Sequence, residues 1–166
     1  EFGFVFQQTY LVSNLTLFEN VAVAGYLEKG QSDKAVNERA EALLARMHVE
    51  KAKDRLPSQA SGGEAQRAAI ARAVINHPGL LFADEPTGAL NRKNSEEVMD
   101  LLTFLNQEGQ SILMVTHDVK AAIRGNRILY LEDGKILDEI SLTPFDAQTA
   151  KEREEKLSAW LSFLSW

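Results

Sequence analysis

The sequence predicts an α/β fold, a parallel sheet with crossover helices, with an extra α-helical block set between its first strand and the rest. Three observations predict it. Short apolar runs, "FGFVF", "LLFADEP" and "SILMVTHD", alternate with stretches of helical spacing, which is the pattern of strands joined by crossover helices. Two of these runs end in reactive side chains, Asp84-Glu85 and His117, and ligands of open α/β sheets sit beyond the carboxyl ends of strands. Between the first run and the second, residues 16–60 carry helical signals.

Taken in order, Phe4–Phe6 reads as a strand end that Gln7-Gln8-Thr9 breaks. "TLFE" at 16–19 has the capping-box pattern and predicts a helix over 17–27. Ser32 or Asp33 caps the next helix, in which Ala40, Leu43, Leu44 and Met47 share one face. "AKDRLPSQASGG" is loop-like, and a helix over 64–76 follows it and ends at "HPG". After the "LLFADEP" strand, Val98, Leu101, Leu102 and Leu105 repeat the helical spacing, and "SILMVTHD" forms the next strand. "RILYLEDGKILDEI" then places two strand-like runs around Asp133-Gly134, a hairpin signal. Leu157, Trp160, Leu161 and Leu164 line one stripe of a C-terminal helix, read as a packing face against the sheet domain. The "KEREEK" run at 151–156 reads as a solvated face with i,i+4 pairs, and Arg67 and Arg72 as outward-facing residues of their helix.

With 166 residues, 45% apolar and 25% charged, the chain is long enough for one domain with a sizeable core. A formal charge of −6 argues against sequence-independent nucleic-acid binding, which needs a basic face. There is no cysteine for a disulfide or thiolate, and three scattered histidines do not make a zinc motif. No apolar run reaches the roughly 18 residues that a membrane span needs. The opening "EFGFVFQQTY" has neither the basic start nor the unbroken apolar stretch of a signal peptide. Because the chain opens directly on a strand-like run, it is expected to be a piece of a domain that starts earlier.

The chemistry concentrates in three places. Paired acids after a buried strand divide labour, one carboxylate holding Mg²⁺ and its neighbour orienting or deprotonating a water. Asp84 and Glu85 are such a pair, and His117 is placed to hydrogen-bond a phosphate or that water. In "SGGEAQR", two glycines sit at the mouth of a helix behind Ser61. A helix amino terminus attracts phosphate, and glycine lets the backbone come close to it. Ser61 either bonds the anion or caps the helix, and Glu64 is read as a capping residue. Each feature has a bland explanation by itself: a solvated acid pair, a structural histidine, a turn. Their common edge on the predicted sheet is what joins them.

"FVFQQ", "ASGGEAQRAAIARA", "LLFADEPTGALN" and "MVTHD" occur in the order of the glutamine loop, signature, Walker B with D-loop, and histidine loop of ABC transporter ATPases. The chain resembles that family over residues 2–140, and "EPTGAL" is most similar to the lipoprotein-releasing and macrolide-exporter subfamily. The resemblance implies a P-loop NTPase-like fold divided into 1–15 (glutamine-loop region), 16–60 (helical subdomain), 61–142 (signature helix and catalytic core) and 143–166 (C-terminal helix). It implies that Gln7 bridges Mg²⁺ and the helical subdomain, Asp84 serves the metal, Glu85 polarises the attacking water and His117 contacts the γ-phosphate. Ser61, Gly62 and Gly63 bind ATP held by a second, facing subunit, and Ala89, Leu90 and Asn91 form the D-loop. Implied partners are ATP, transmembrane permease subunits and a head-to-tail homodimer mate, with no nucleic acid. The implied place is the cytoplasmic face of the plasma membrane.

The sequence departs from the family pattern in four places. Ala60 stands where the signature has Leu, Glu64 where it has Gln, and Asn91 where the D-loop has Asp. No G-x-x-x-x-G-K-[ST] is present, so the loop that cradles phosphates is missing from these residues. That loop supplies much of the positioning in phosphoryl transfer. Residues 1–166 alone are therefore expected neither to bind ATP tightly nor to turn it over, and an uncovered edge is expected to make them prone to pair. Two other readings share some of these motifs. A chromosome-maintenance or translation-factor ATPase has Gly-Gly-Glu, but long heptads are not found here; a non-enzymatic half-site or docking module needs no P-loop.

Overall fold

A computed structural model, describing residues 1–166, places three strands in a parallel sheet in the order β1 (Phe2–Phe6), β2 (Leu80–Asp84), β3 (Ile112–Val115). Side chains alternate across a strand. Val5, Leu81 and Ala83 point inward and are buried. The opposite face carries Phe2, Phe4, Phe6 and Phe82, with Phe4 and Phe82 stacked at 5.2 Å and Phe2 edge-on to Phe82 at 5.5 Å. Phe2 and Phe4 remain 62% and 48% exposed, and Leu113 and Val115 of β3 are also exposed. Parallel sheets are ordinarily covered on both faces; in residues 1–166 this one is covered on one.

Between β1 and β2 run α1 (Leu17–Tyr26), α2 (Asp33–Arg46) and α3 (Gly62–Val74), with two short 3₁₀ turns before α3. Thr16 caps α1 by accepting from the Glu19 N–H, and Ser32, not Asp33, caps α2. Leu17, Val21, Val36, Leu44, Met47, Ile70 and Ile75 form their common core, each 1% exposed or less. The third helix starts at Gly62, two residues before the expected start at Glu64. Ser61 is its cap, so both glycines lie in the first turn, where helix-breaking tendencies count least. After β2, α4 (Arg92–Gln107) buries Val98, Met99, Leu101, Leu102 and Leu105.

The chain folds as two compact units, Glu1–Val115 and Thr116–Trp166. The second contains α5 (Val119–Ala122), the antiparallel pair β4 (Arg127–Glu132) and β5 (Lys135–Ser141), and α6 (Ala150–Phe163). Asp133 and Gly134 both take left-handed backbone at the hairpin turn, as the Asp-Gly signal predicts. The stripe of α6 packs within its own unit. Leu157 and Leu161 are buried with Ile123 against Ile128, Tyr130, Ile140 and Phe145, within the second unit. "KEREEK" is not wholly a solvated face, because Arg153 is 4% exposed and points inward.

Candidate functional site

Parallel pairing sends all three strands out at one edge. Phe6 is level with Asp84, and Asp84 with Val115, so Gln7 and Glu85 follow from neighbouring strand ends. Asp84 is exposed and Glu85 half-buried. The Glu85 N–H donates to the Val115 carbonyl at 2.8 Å, and its backbone sits at φ 44°. Left-handed backbone at a non-glycine residue costs about 1–2 kcal/mol and persists only where the surroundings over-determine it. Beyond it, the Gly88 N–H donates to Glu85 O and the Leu90 N–H to Thr87 O, folding residues 85–90 into a tight turn. Asn91 ends the turn and caps α4, accepting from the Asn94 N–H at 2.9 Å. A Cβ on Gly88 would lie 2.9 Å from Gln7 Cδ, so the Gln7 side chain rests directly on this turn.

Ser61 and Glu64 form a reciprocal cap: Ser61 Oγ accepts from the Glu64 N–H, and the Ser61 N–H donates to Glu64 Oε2. The Arg55 guanidinium stands 3.6 Å from that carboxylate. Ser61 and Gly62 are exposed at the helix mouth. Gly63 is buried, and the space its Cβ would fill is occupied by Asn94 of α4, with Oδ1 2.4 Å away. At Gly63 the missing Cβ makes room for helix packing. Gly63→Ala is expected to cost about 1–3 kcal/mol through overpacking. Adding Asn94→Ala should recover part of that loss, a coupling that a double-mutant cycle in urea measures.

The structure thus places Gln7, Ser61, Gly62, Gly63, Asp84, Glu85, Ala89, Leu90 and Asn91 in the first unit. His117 lies two residues beyond β3, exposed, at the start of the second, just before Asp118 caps α5. No three His, Asp or Glu side chains converge to cage a metal ion. Mg²⁺ needs no such cage, since it takes one or two protein oxygens and completes its shell with water and phosphate. Asp84 and the Gln7 amide oxygen are the donors that fit. A cleft of about 360 Å³ opens elsewhere, along Glu1–Phe6, Leu27 and Pro78, and contains neither carboxylate of the pair.

The family model of the ABC transporter matches residues 1–88. The chain belongs to the ABC transporter ATPase family. It is 48% identical over 139 residues to the lipoprotein-releasing system ATP-binding protein LolD of Aquifex aeolicus, covering 84% of this chain and 62% of that one. It is 41% identical to the macrolide export ATP-binding/permease protein MacB of Pasteurella multocida, covering 86% of this chain and 22% of that one. Among solved structures it resembles the ATP-binding cassette MJ0796, described as a dimer in a post-hydrolysis state bound to ADP and Pi. The TM-score is 0.75 at 41% identity, over 87% of this chain and 64% of that one. The chain spans about three-fifths of the length of LolD.

In this ABC ATPase chain α3 also carries buried polar side chains that reach distant segments. Arg67 and Arg72 are not outward-facing. Arg67 is 8% exposed and donates to Glu97 Oε2 of α4 at 2.6 Å. Arg72 donates to the carbonyls of Thr9 and Tyr10 at 2.5 and 2.8 Å, fixing the segment that follows Gln7. Burial lowers its pKa below the ordinary arginine value. Asn20, 3% exposed, accepts from the Val12 N–H and donates to Val12, Leu15 and Thr16 carbonyls, tying down the same loop. Gln66, 1% exposed, donates its amide to Phe6 O and Pro86 O at 2.8 and 2.7 Å. Its Oε1 has no partner, at a cost of about 1–3 kcal/mol for a buried acceptor. No local pattern singles out these four side chains, because their partners are distant or are bare carbonyls.

Proposed function

We propose that this chain is part of the ATP-binding and hydrolysing subunit of an ABC transporter that couples hydrolysis to transmembrane export. The observation that carries this reading is the convergence of Gln7, Asp84 and Glu85 on one sheet edge. It stands beside a serine-capped helix mouth with the family's Ser-Gly-Gly. In this reading Asp84 and Gln7 hold Mg²⁺, which draws charge from the terminal phosphates when bound. Glu85 orients and deprotonates the attacking water, and His117 bonds the γ-phosphate. Gly62 presents its N–H, and Ser61 its hydroxyl hydrogen, to the nucleotide of a second subunit in a head-to-tail homodimer. Gly63 contributes its backbone only.

Residues 85–91 form the turn on which Gln7 rests, so a change at the metal reaches the segment 7–12, which Arg72 and Asn20 hold against the helical subdomain. That subdomain, residues 16–60, is assigned to the permease, which places the subunit on the cytoplasmic face of the plasma membrane. No helix of the chain is long and apolar enough to cross a membrane. Residues 1–166 contain no P-loop motif, so hydrolysis is assigned to the full-length cassette that carries this sequence. The same observation favours, for the 166 residues by themselves, a half-site without turnover. The test is Glu85→Gln in the full-length cassette, with hydrolysis and ATP binding measured separately.

A further inference from the structure

Resting on the assignment of Glu85 and Gln7 above, the geometry points to Gln66 as the positioning residue that sets these two groups relative to each other. Gln66 Nε2 reaches both of the segments concerned. It donates to the carbonyl of Phe6, immediately before Gln7, and to the carbonyl of Pro86, immediately after Glu85. Both acceptors are carbonyls, so the amide orientation is fixed: its two hydrogens face them and Oε1 faces away. The two residues that it ties together come from β1 and from the turn after β2, 60 and 20 positions from it in the chain.

Glu85 needs such a tie. It holds a left-handed backbone, and its own N–H is engaged by Val115 O on one side. On the other side the next peptide carbonyl is engaged by Gln66. With both flanks pinned, the backbone that carries the carboxylate is held before any ligand arrives. An apolar side chain of the same length would satisfy core packing and would remove the orphaned Oε1. Packing alone therefore does not call for glutamine, whereas two carbonyls at the ends of two functional segments do. Because Gln66 stands in the same first turns of α3 as Ser61 and Gly62, a movement of that helix mouth is passed through a single amide to Gln7 and Glu85.

The experiment compares Gln66→Met with wild type in the full-length cassette. Methionine matches the length and volume of glutamine and lacks the donors. Displacing a catalytic group by about 1 Å costs on the order of 10²-fold in rate. The expected result for Q66M is a kcat lowered by about 10–100-fold on that scale, with the KM for ATP held and amide hydrogen exchange at Glu85, Thr87 and Gly88 (the amides of 85–88) quickened. Gln66→Asn keeps the amide but is too short to reach both carbonyls, and its kcat should fall between the two; it serves also if Q66M fails to fold. A Q66M cassette with wild-type kcat, or one in which kcat and KM shift together while exchange at 85–88 stays slow, overturns the positioning role. Glu85→Gln is run alongside. If E85Q hydrolyses ATP normally, the assignment of Glu85 fails and the positioning role falls with it. If E85Q is inactive and Q66M is not, only the role of Gln66 fails.

Discussion

Glu85→Gln in the full-length cassette is expected to lower ATP hydrolysis by about 10²–10⁴-fold, the range for loss of a general base, while ATP binding persists. The substitution is nearly isosteric. Backbone hydrogen bonds hold the main chain here: the Glu85 N–H to Val115 O, the Gly88 N–H to Glu85 O, and Gln66 on the following carbonyl. None of these bonds involves the carboxylate, so the backbone should keep its φ of 44°. What is lost is the ability to accept a proton and the negative charge that orients a water. Phosphate release under saturating ATP, set beside binding of a fluorescent ATP analogue, separates the two effects. Wild-type turnover in E85Q would remove Glu85 as the base. Loss of binding together with hydrolysis would show that the residue holds the nucleotide or the fold instead.

The second large effect is expected in the other unit. Arg153→Met should destabilise it by about 2–4 kcal/mol, from charge-assisted hydrogen bonds worth about 1.5–3 kcal/mol each set against the relief of not burying a cation. Arg153 donates Nε to Ile123 O at 2.8 Å, Nη1 to Thr143 O at 2.5 Å and Nη2 to Gly125 O at 2.8 Å. Its guanidinium also lies 5.4 Å from the centre of the Phe145 ring. Two of these carbonyls stand at the end of α5, where helix carbonyls lack partners within the helix. Methionine fills the channel of the stem and leaves all three acceptors without their donor. Lysine keeps the charge but not the planar fork, so Arg153→Lys should also destabilise.

The measurement is selective. Both tryptophans of the chain, Trp160 and Trp166, lie in the second unit. Trp160 donates to Asp138 Oδ2 and meets the Tyr130 ring edge-on, so its fluorescence follows the α6–hairpin packing. The Trp-detected urea midpoint should fall in R153M. An unchanged midpoint would mean that burying this cation costs as much as its three hydrogen bonds return.

Much of the architecture was legible along the chain. The strand at "LLFAD", the helix over 17–26 and the Asp-Gly hairpin each follow from periodicity or turn chemistry confined to a few residues. The order of four motifs carried the family, and the parallel order of the sheet followed from strands alternating with helices. The errors share a cause. Arg67, Arg72 and Arg153 read as solvated because a guanidinium carries a charge, yet each is turned toward an acceptor: the Glu97 carboxylate for Arg67, backbone carbonyls for the other two. The closeness of Asn94 to Gly63 was likewise not legible, because α4 lies some thirty residues further along the chain.

By itself, then, the amino-acid sequence determined which segments are helix and strand, where the helices are capped, and which side chains stand at the carboxyl edge of the sheet. These are consequences of interactions within about one turn or one strand. Only the tertiary structure decided which buried polar groups hold that edge in shape. Gln66 reaches Phe6 and Pro86 across 60 and 20 residues, and Arg72 reaches Thr9 and Tyr10 across more than 60. A backbone carbonyl looks the same at every position of a sequence, so which one a distant donor will find is settled only when the chain has packed.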